Sequence, residues 1–141
     1  MGMKLLEHKG RLQKLLGLND WNIALQIVEG IENEPEASGK AVVQSASQKA
    51  LIHLVPPDKI KDIIFFYGTD QMLLTLIHEM LHVKFWLLES MLFKDDKPDW
   101  TGLEVYENLI DQISKIIFHL YTDYKVPVEL SEDAEKGGVW M

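Results

Sequence analysis

The chain has 141 residues, enough for one compact domain, and carries 22 acidic against 14 basic side chains, for a formal net charge of −8. With no cluster of lysine or arginine to offset it, a field of this sign repels phosphate backbones and argues against nucleic acid as a partner. Cysteine is absent, which excludes disulfides, thiolate metal ligands and a cysteine nucleophile.

The N-terminal half is predicted to contain one helix and three strands. Leucines at helical spacing predict an amphipathic helix from Lys4 to Leu16. No sustained apolar run with a small-residue cleavage site precedes it, so we expect a cytoplasmic protein. Alternating apolar residues predict a strand from Trp21 to Val28, followed by an acidic loop from Glu29 to Gly39. Two further extended segments run from Lys40 to Ser45 and from Lys49 to Val55.

Helices are predicted to dominate the second half. After Pro56-Pro57, Asp58 can cap a short helix through Phe66. An apolar helix then runs from Thr69 or Asp70 to about Leu92, and a charged loop covers Asp95 to Asp99. The next helix extends from Thr101 to about Tyr124.

This order of elements, with strands first and helices later, predicts an α+β domain over residues 1–127. We expect a small sheet packed on one side by the two long helices. Residues 128–141 are acidic, contain Gly137-Gly138, and are predicted to form a tail.

The first long helix carries the motif His78-Glu79-Met80-Leu81-His82. Residues four apart lie on one helical face, so His78 and His82 can direct their imidazoles at one metal ion. Glu79 lies beside that position, where its carboxylate can take a proton from a water activated by the metal. Imidazole and carboxylate ligands with one open position are typical of catalytic zinc.

The alternative is that these are ordinary helix histidines. The same helix is apolar on almost every side from Met72 to Leu88, which predicts that it is buried. Three ionisable groups in a buried helix would cost several kcal/mol unless they were paired or bound to an ion. The polar residues also make a membrane-spanning role for this segment unfavourable. We therefore favour the metal site.

A third ligand must come from a segment that folds back against this helix, and only carboxylates are suitable: Asp95, Asp96, Asp99, Glu104, Glu107 and Asp111. The three loop aspartates are expected to be solvated. Glu104 has capping-box spacing from Thr101 and is expected to cap its helix. Glu107 and Asp111 lie one turn apart, so one could bind the metal while the other orients a ligand imidazole.

The paired motifs, HExxH at residues 78–82 and ExxxD at residues 107–111, resemble those of the gluzincin metallopeptidases, the thermolysin-like group, in a minimal single-domain form. The resemblance implies His78, His82 and Glu107 as zinc ligands. It also implies Glu79 as general base and Asp111 as the partner of a ligand histidine. An edge strand within Lys40 to Val55 would pair with an extended peptide substrate.

The sequence thus predicts a Zn²⁺-dependent metallopeptidase that acts on peptides or proteins. Two alternatives stay open. One is a zinc hydrolase of a non-peptide amide, which would use the same metal and base. The other is a non-catalytic or regulatory metal-binding module, against which the presence of Glu79 argues, because a structural site needs no general base.

Overall fold

A computed structural model describes residues 3–60, 69–92, 100–122 and 128–129 of the chain. The described residues form an α+β fold, as predicted. Its elements in chain order are β1 (Met3–Lys4), α1 (Leu5–Leu15), β2 (Asn22–Ile27), β3 (Gly39–Gln44), β4 (Lys49–Leu54), α2 (Thr69–Lys84), α3 (Trp86–Leu92), α4 (Trp100–Thr122) and β5 (Val128–Glu129).

The main sheet is mixed and has the order β2-β4-β3. Strand β4 lies in the centre, parallel to β2 and antiparallel to β3. Its side chains alternate, and Ala50, Ile52 and Leu54 point into the core. Such alternation is expected of a strand with one covered face. Among the described strands, β3 pairs with β4 alone and forms one edge of the sheet.

Helix α2 is the centre of the packing. It contacts β3 and β4 on the sheet and also packs against α1 and α4. Its apolar residues on several sides are buried, including Leu73, Leu76, Ile77 and Met80. Burial of a helix on most of its circumference agrees with the apolar sequence that predicted it.

Gly39 allows α2 to approach β3 closely. A β-carbon at this position would lie 2.6 Å from Cγ2 of Thr75 on α2 and 2.8 Å from the backbone oxygen of His53. Both distances are shorter than real contacts of a β-carbon, so a larger residue would push the helix from the sheet. The glycine therefore sets the distance between the two elements.

Three predicted boundaries differ in the structure. The long apolar helix is interrupted at Phe85, which separates α2 from α3. The helix predicted from Asp58 does not start there, because Pro57–Lys59 form a single 3₁₀ turn and Ile60 is extended; residues 61–66 lie outside the described part. The predicted tail begins with a strand, since Val128 and Glu129 pair in parallel with β1.

The predicted loop at residues 95–99 lies outside the described residues. Within the residues that are described, no helix combines the length and the apolarity needed to cross a membrane.

Candidate metal centre

The two motif histidines project from one face of α2 toward a common point. Their Nε2 atoms are 3.2 Å apart. Two nitrogens bound at about 2.0–2.1 Å to one tetrahedral ion would lie roughly 3.3 Å apart, so this spacing suits a shared ion. The pair is on one face because His78 and His82 are four residues apart in a helix.

Helix α4 brings a carboxylate to the same point. Oε2 of Glu107 lies 3.5 Å from Nε2 of His82. One ligand atom from each of His78, His82 and Glu107 falls within 4.8 Å of the other two. These three residues could therefore hold a metal ion, and we call them the ligand cluster. Two imidazoles and a carboxylate form a donor set that suits catalytic zinc and leaves a coordination position open.

Among the other candidate carboxylates that the structure describes, Asp111 adjoins the cluster and Glu104 does not. The Oδ1 atom of Asp111 is 3.9 Å from Nδ1 of His78, and its Oδ2 atom also forms an ion pair of 2.9 Å with Lys115. Glu104 is exposed and is not part of the cluster. The loop aspartates at 95, 96 and 99 lie outside the described residues.

Glu79 is buried beside the cluster, with only 8% of its surface exposed. Burial is the main reason why the pKa of its carboxyl group is raised to about 7, and the nearby carboxylates of Glu107 and Glu89 add to the shift. The backbone N–H of Ala41 on β3 donates a hydrogen bond to this carboxylate and acts in the opposite direction. A carboxyl group with a pKa near neutrality can both accept and release a proton at physiological pH.

The two histidines are in different electrostatic environments. Burial is the main cause that lowers the pKa of His78 to about 4, so its imidazole is neutral at pH 7 and can donate a lone pair to a metal. Burial also opposes protonation of His82. There, however, the hydrogen bond with Glu89 and the charges of the surrounding carboxylates outweigh it, and the pKa of His82 is raised.

A cleft of about 660 Å³ opens over the ligand cluster. Its lining includes Gly39, Ala41 and Val43 of strand β3 and Trp86 of α3. Lys40 and Glu34 also line the cleft, and Nζ of Lys40 is 3.9 Å from Oε2 of Glu34. A chain that lay extended in the cleft would pass along β3 and over the cluster.

Glu89 is a member of the site that the sequence prediction missed. Its Oε1 atom lies 3.2 Å from Nδ1 of His82. The seven-residue spacing from His82 places both residues on nearly the same helical face, but in a straight helix seven residues span about 10.5 Å along the axis. The spacing alone therefore did not predict this contact.

Tyr106 of α4 extends the site behind Glu89. Its side chain is buried, and its ring centroid lies 6.2 Å from that of His82. Burial and the neighbouring carboxylates raise the pKa of this phenol well above its ordinary value, so it remains a donor.

No protein-family model, no curated protein and no solved structure matches this chain.

Proposed function

We propose that this protein is a zinc-dependent metallopeptidase of the gluzincin type in a single-domain form. The ligands would be the cluster of His78, His82 and Glu107, and Glu79 would be the general base. The observation that carries the proposal is the position of Glu79, a buried carboxylate beside three convergent ligands and facing a cleft.

Bound zinc would polarise the scissile carbonyl and lower the pKa of water at the site. The chain's own contribution is to move and hold protons. Glu79 would accept a proton from the attacking water and return it to the leaving amine. The backbone N–H of Ala41 donates a hydrogen bond to the Glu79 carboxylate and helps to orient it.

The edge strand supports a peptide as the substrate. Strand β3 pairs with β4 on one side only among the described strands, and its residues line the cleft. A peptide that adds to this edge by backbone hydrogen bonding would lie next to the cluster with its carbonyl groups ordered along the strand. Action on peptides and a cytoplasmic location remain predictions from the sequence. The cleft adds a proposed binding mode, in which the peptide pairs with β3.

The two alternatives make different demands on these residues. A structural metal site is normally closed by four protein ligands and needs no base, whereas here three ligands converge beside Glu79. A hydrolase of a non-peptide amide would use the same cluster and base but would have no use for the open strand edge. Both features therefore favour a peptidase.

The test combines metal analysis with hydrolysis of a peptide library. We expect one zinc per chain in the purified protein and in Glu79→Gln, and hydrolysis in the unchanged protein alone, because the amide cannot accept the proton. His78→Ala and His82→Ala should lose stoichiometric zinc. Full zinc occupancy in both histidine variants would contradict the metal site. Undiminished turnover by Glu79→Gln would contradict the role of the base.

A further inference from the structure

Glu89 contacts the edge of the His82 ring that faces away from the cluster. The Nε2 atom of His82 faces His78 and Glu107, at 3.2 and 3.5 Å, while its Nδ1 atom lies 3.2 Å from the Glu89 carboxylate. A hydrogen bond from Nδ1–H to Glu89 places the proton on Nδ1 and leaves the Nε2 lone pair for a metal. The contact therefore selects both the tautomer and the orientation of the ring.

Tyr106 of α4 lies close to this contact. Its side chain is buried, its ring centroid is 6.2 Å from that of His82, and the Glu89 carboxylate contributes to the raised pKa of its phenol.

Asp111, which the ExxxD motif suggests as the partner of a ligand histidine, is in a weaker position. Its distance to Nδ1 of His78 is 3.9 Å, beyond hydrogen-bond range, and its side chain is 48% exposed against 28% for Glu89. Lys115 also binds it at 2.9 Å and competes for its charge. Solvent and a competing cation both weaken the hold of a carboxylate on an imidazole.

We propose that Glu89 is the main positioning residue of this metal centre, orienting His82 for coordination, and that its contribution to metal binding exceeds that of Asp111. This inference rests on the proposed metal site. It adds a carboxylate from α3 that lies outside both motifs. Removal of such a hydrogen-bonding partner of a ligand histidine commonly costs about 10–100-fold in metal affinity.

The experiment measures zinc affinity by competition with a chromophoric chelator in the full chain and in Glu89→Ala, Glu89→Gln and Asp111→Ala. We expect Glu89→Ala to bind zinc about 10–100-fold more weakly. Glu89→Gln should recover part of that loss, because its amide oxygen can still accept the Nδ1 proton. Asp111→Ala should lose less than Glu89→Ala. The visible absorption of the Co²⁺-loaded protein should change in Glu89→Ala, since reorientation of His82 alters the ligand field, and circular dichroism checks that each variant is folded.

Each other result is decisive as well. Equal zinc affinity for Glu89→Ala and the unchanged protein, or a larger loss in Asp111→Ala, would overturn the role of Glu89 and leave the proposed function intact. Absence of zinc binding by the unchanged protein would overturn both.

Discussion

Glu104 and Glu107 show how much the role of a single residue depends on its position on a helix. Both are exposed glutamates of α4, three residues apart. Only Glu107 points its carboxylate at His82, at 3.5 Å, whereas Glu104 lies outside the ligand cluster. Their chemistry is identical, so the contrast in geometry alone should separate their effects.

We expect Glu107→Ala to reduce zinc affinity by more than the roughly 10–100-fold that is typical of a lost outer partner, because a ligand itself is removed. Glu104→Ala is the matched control. It should keep its zinc affinity, because the Glu104 carboxylate lies outside the ligand cluster. The capping role predicted for Glu104 is wrong, since α4 begins at Trp100 and Thr101 therefore lies within the helix. Titration with zinc compares the two variants. The reverse order of zinc affinities would move the third ligand to Glu104.

At the scale of elements, the site depends on the packing of α2 against the edge strand β3. The hydrogen bond from the N–H of Ala41 to Glu79 crosses this interface, and Gly39 is the residue that permits the close approach. The site is therefore a property of the contact between a helix and a strand, and the HExxH segment alone would not produce it.

Gly39→Ala should lower the free energy of unfolding by about 1–3 kcal/mol, since a β-carbon would overlap Thr75 and a backbone oxygen that cannot easily move. Gly10→Ala is a suitable control. That glycine lies within α1 with open space around it, and the change should stabilise the helix by about 0.5–1 kcal/mol. Urea denaturation compares the two variants. Equal stability of Gly39→Ala and the unchanged protein would show that α2 and β3 can separate at no cost.

For the molecule as a whole, α1 connects the sheet to α4 through one buried and one partly buried polar contact. Lys9 donates from Nζ to the backbone oxygen of Ile23 at 2.6 Å. Nδ1 of His8 lies 2.6 Å from the hydroxyl of Tyr121. Lys9 and His8 both belong to α1, which the leucine spacing had predicted only to be amphipathic. Their two contacts join α1 to β2 and to α4.

Burial lowers the pKa of Lys9, which gives stability a dependence on pH. The folded protein releases this proton at a lower pH than the unfolded chain does. Between the lowered value and the ordinary value for lysine, the unfolded chain therefore binds more protons, and stability rises with pH in that interval. We expect the unchanged protein to gain stability relative to Lys9→Met between pH 7 and pH 10. Urea denaturation at both pH values gives the difference, and a constant difference would show that Lys9 keeps its ordinary pKa when folded.

The position of the histidine pair and the α+β class could be predicted from the sequence because both depend on local periodicity. Residues four apart meet on any helix, and the alternation that predicted β2 and β4 needs no knowledge of their partners. The tertiary structure decided the rest. Three contacts build the site, and each joins residues of different elements. Glu107 contacts His82, Glu89 contacts the other edge of the same ring, and Ala41 contacts the buried carboxylate of Glu79. Such contacts follow from how α2 packs against α4 and β3 and from the interruption at Phe85, and residue spacing within one segment carries no information about them.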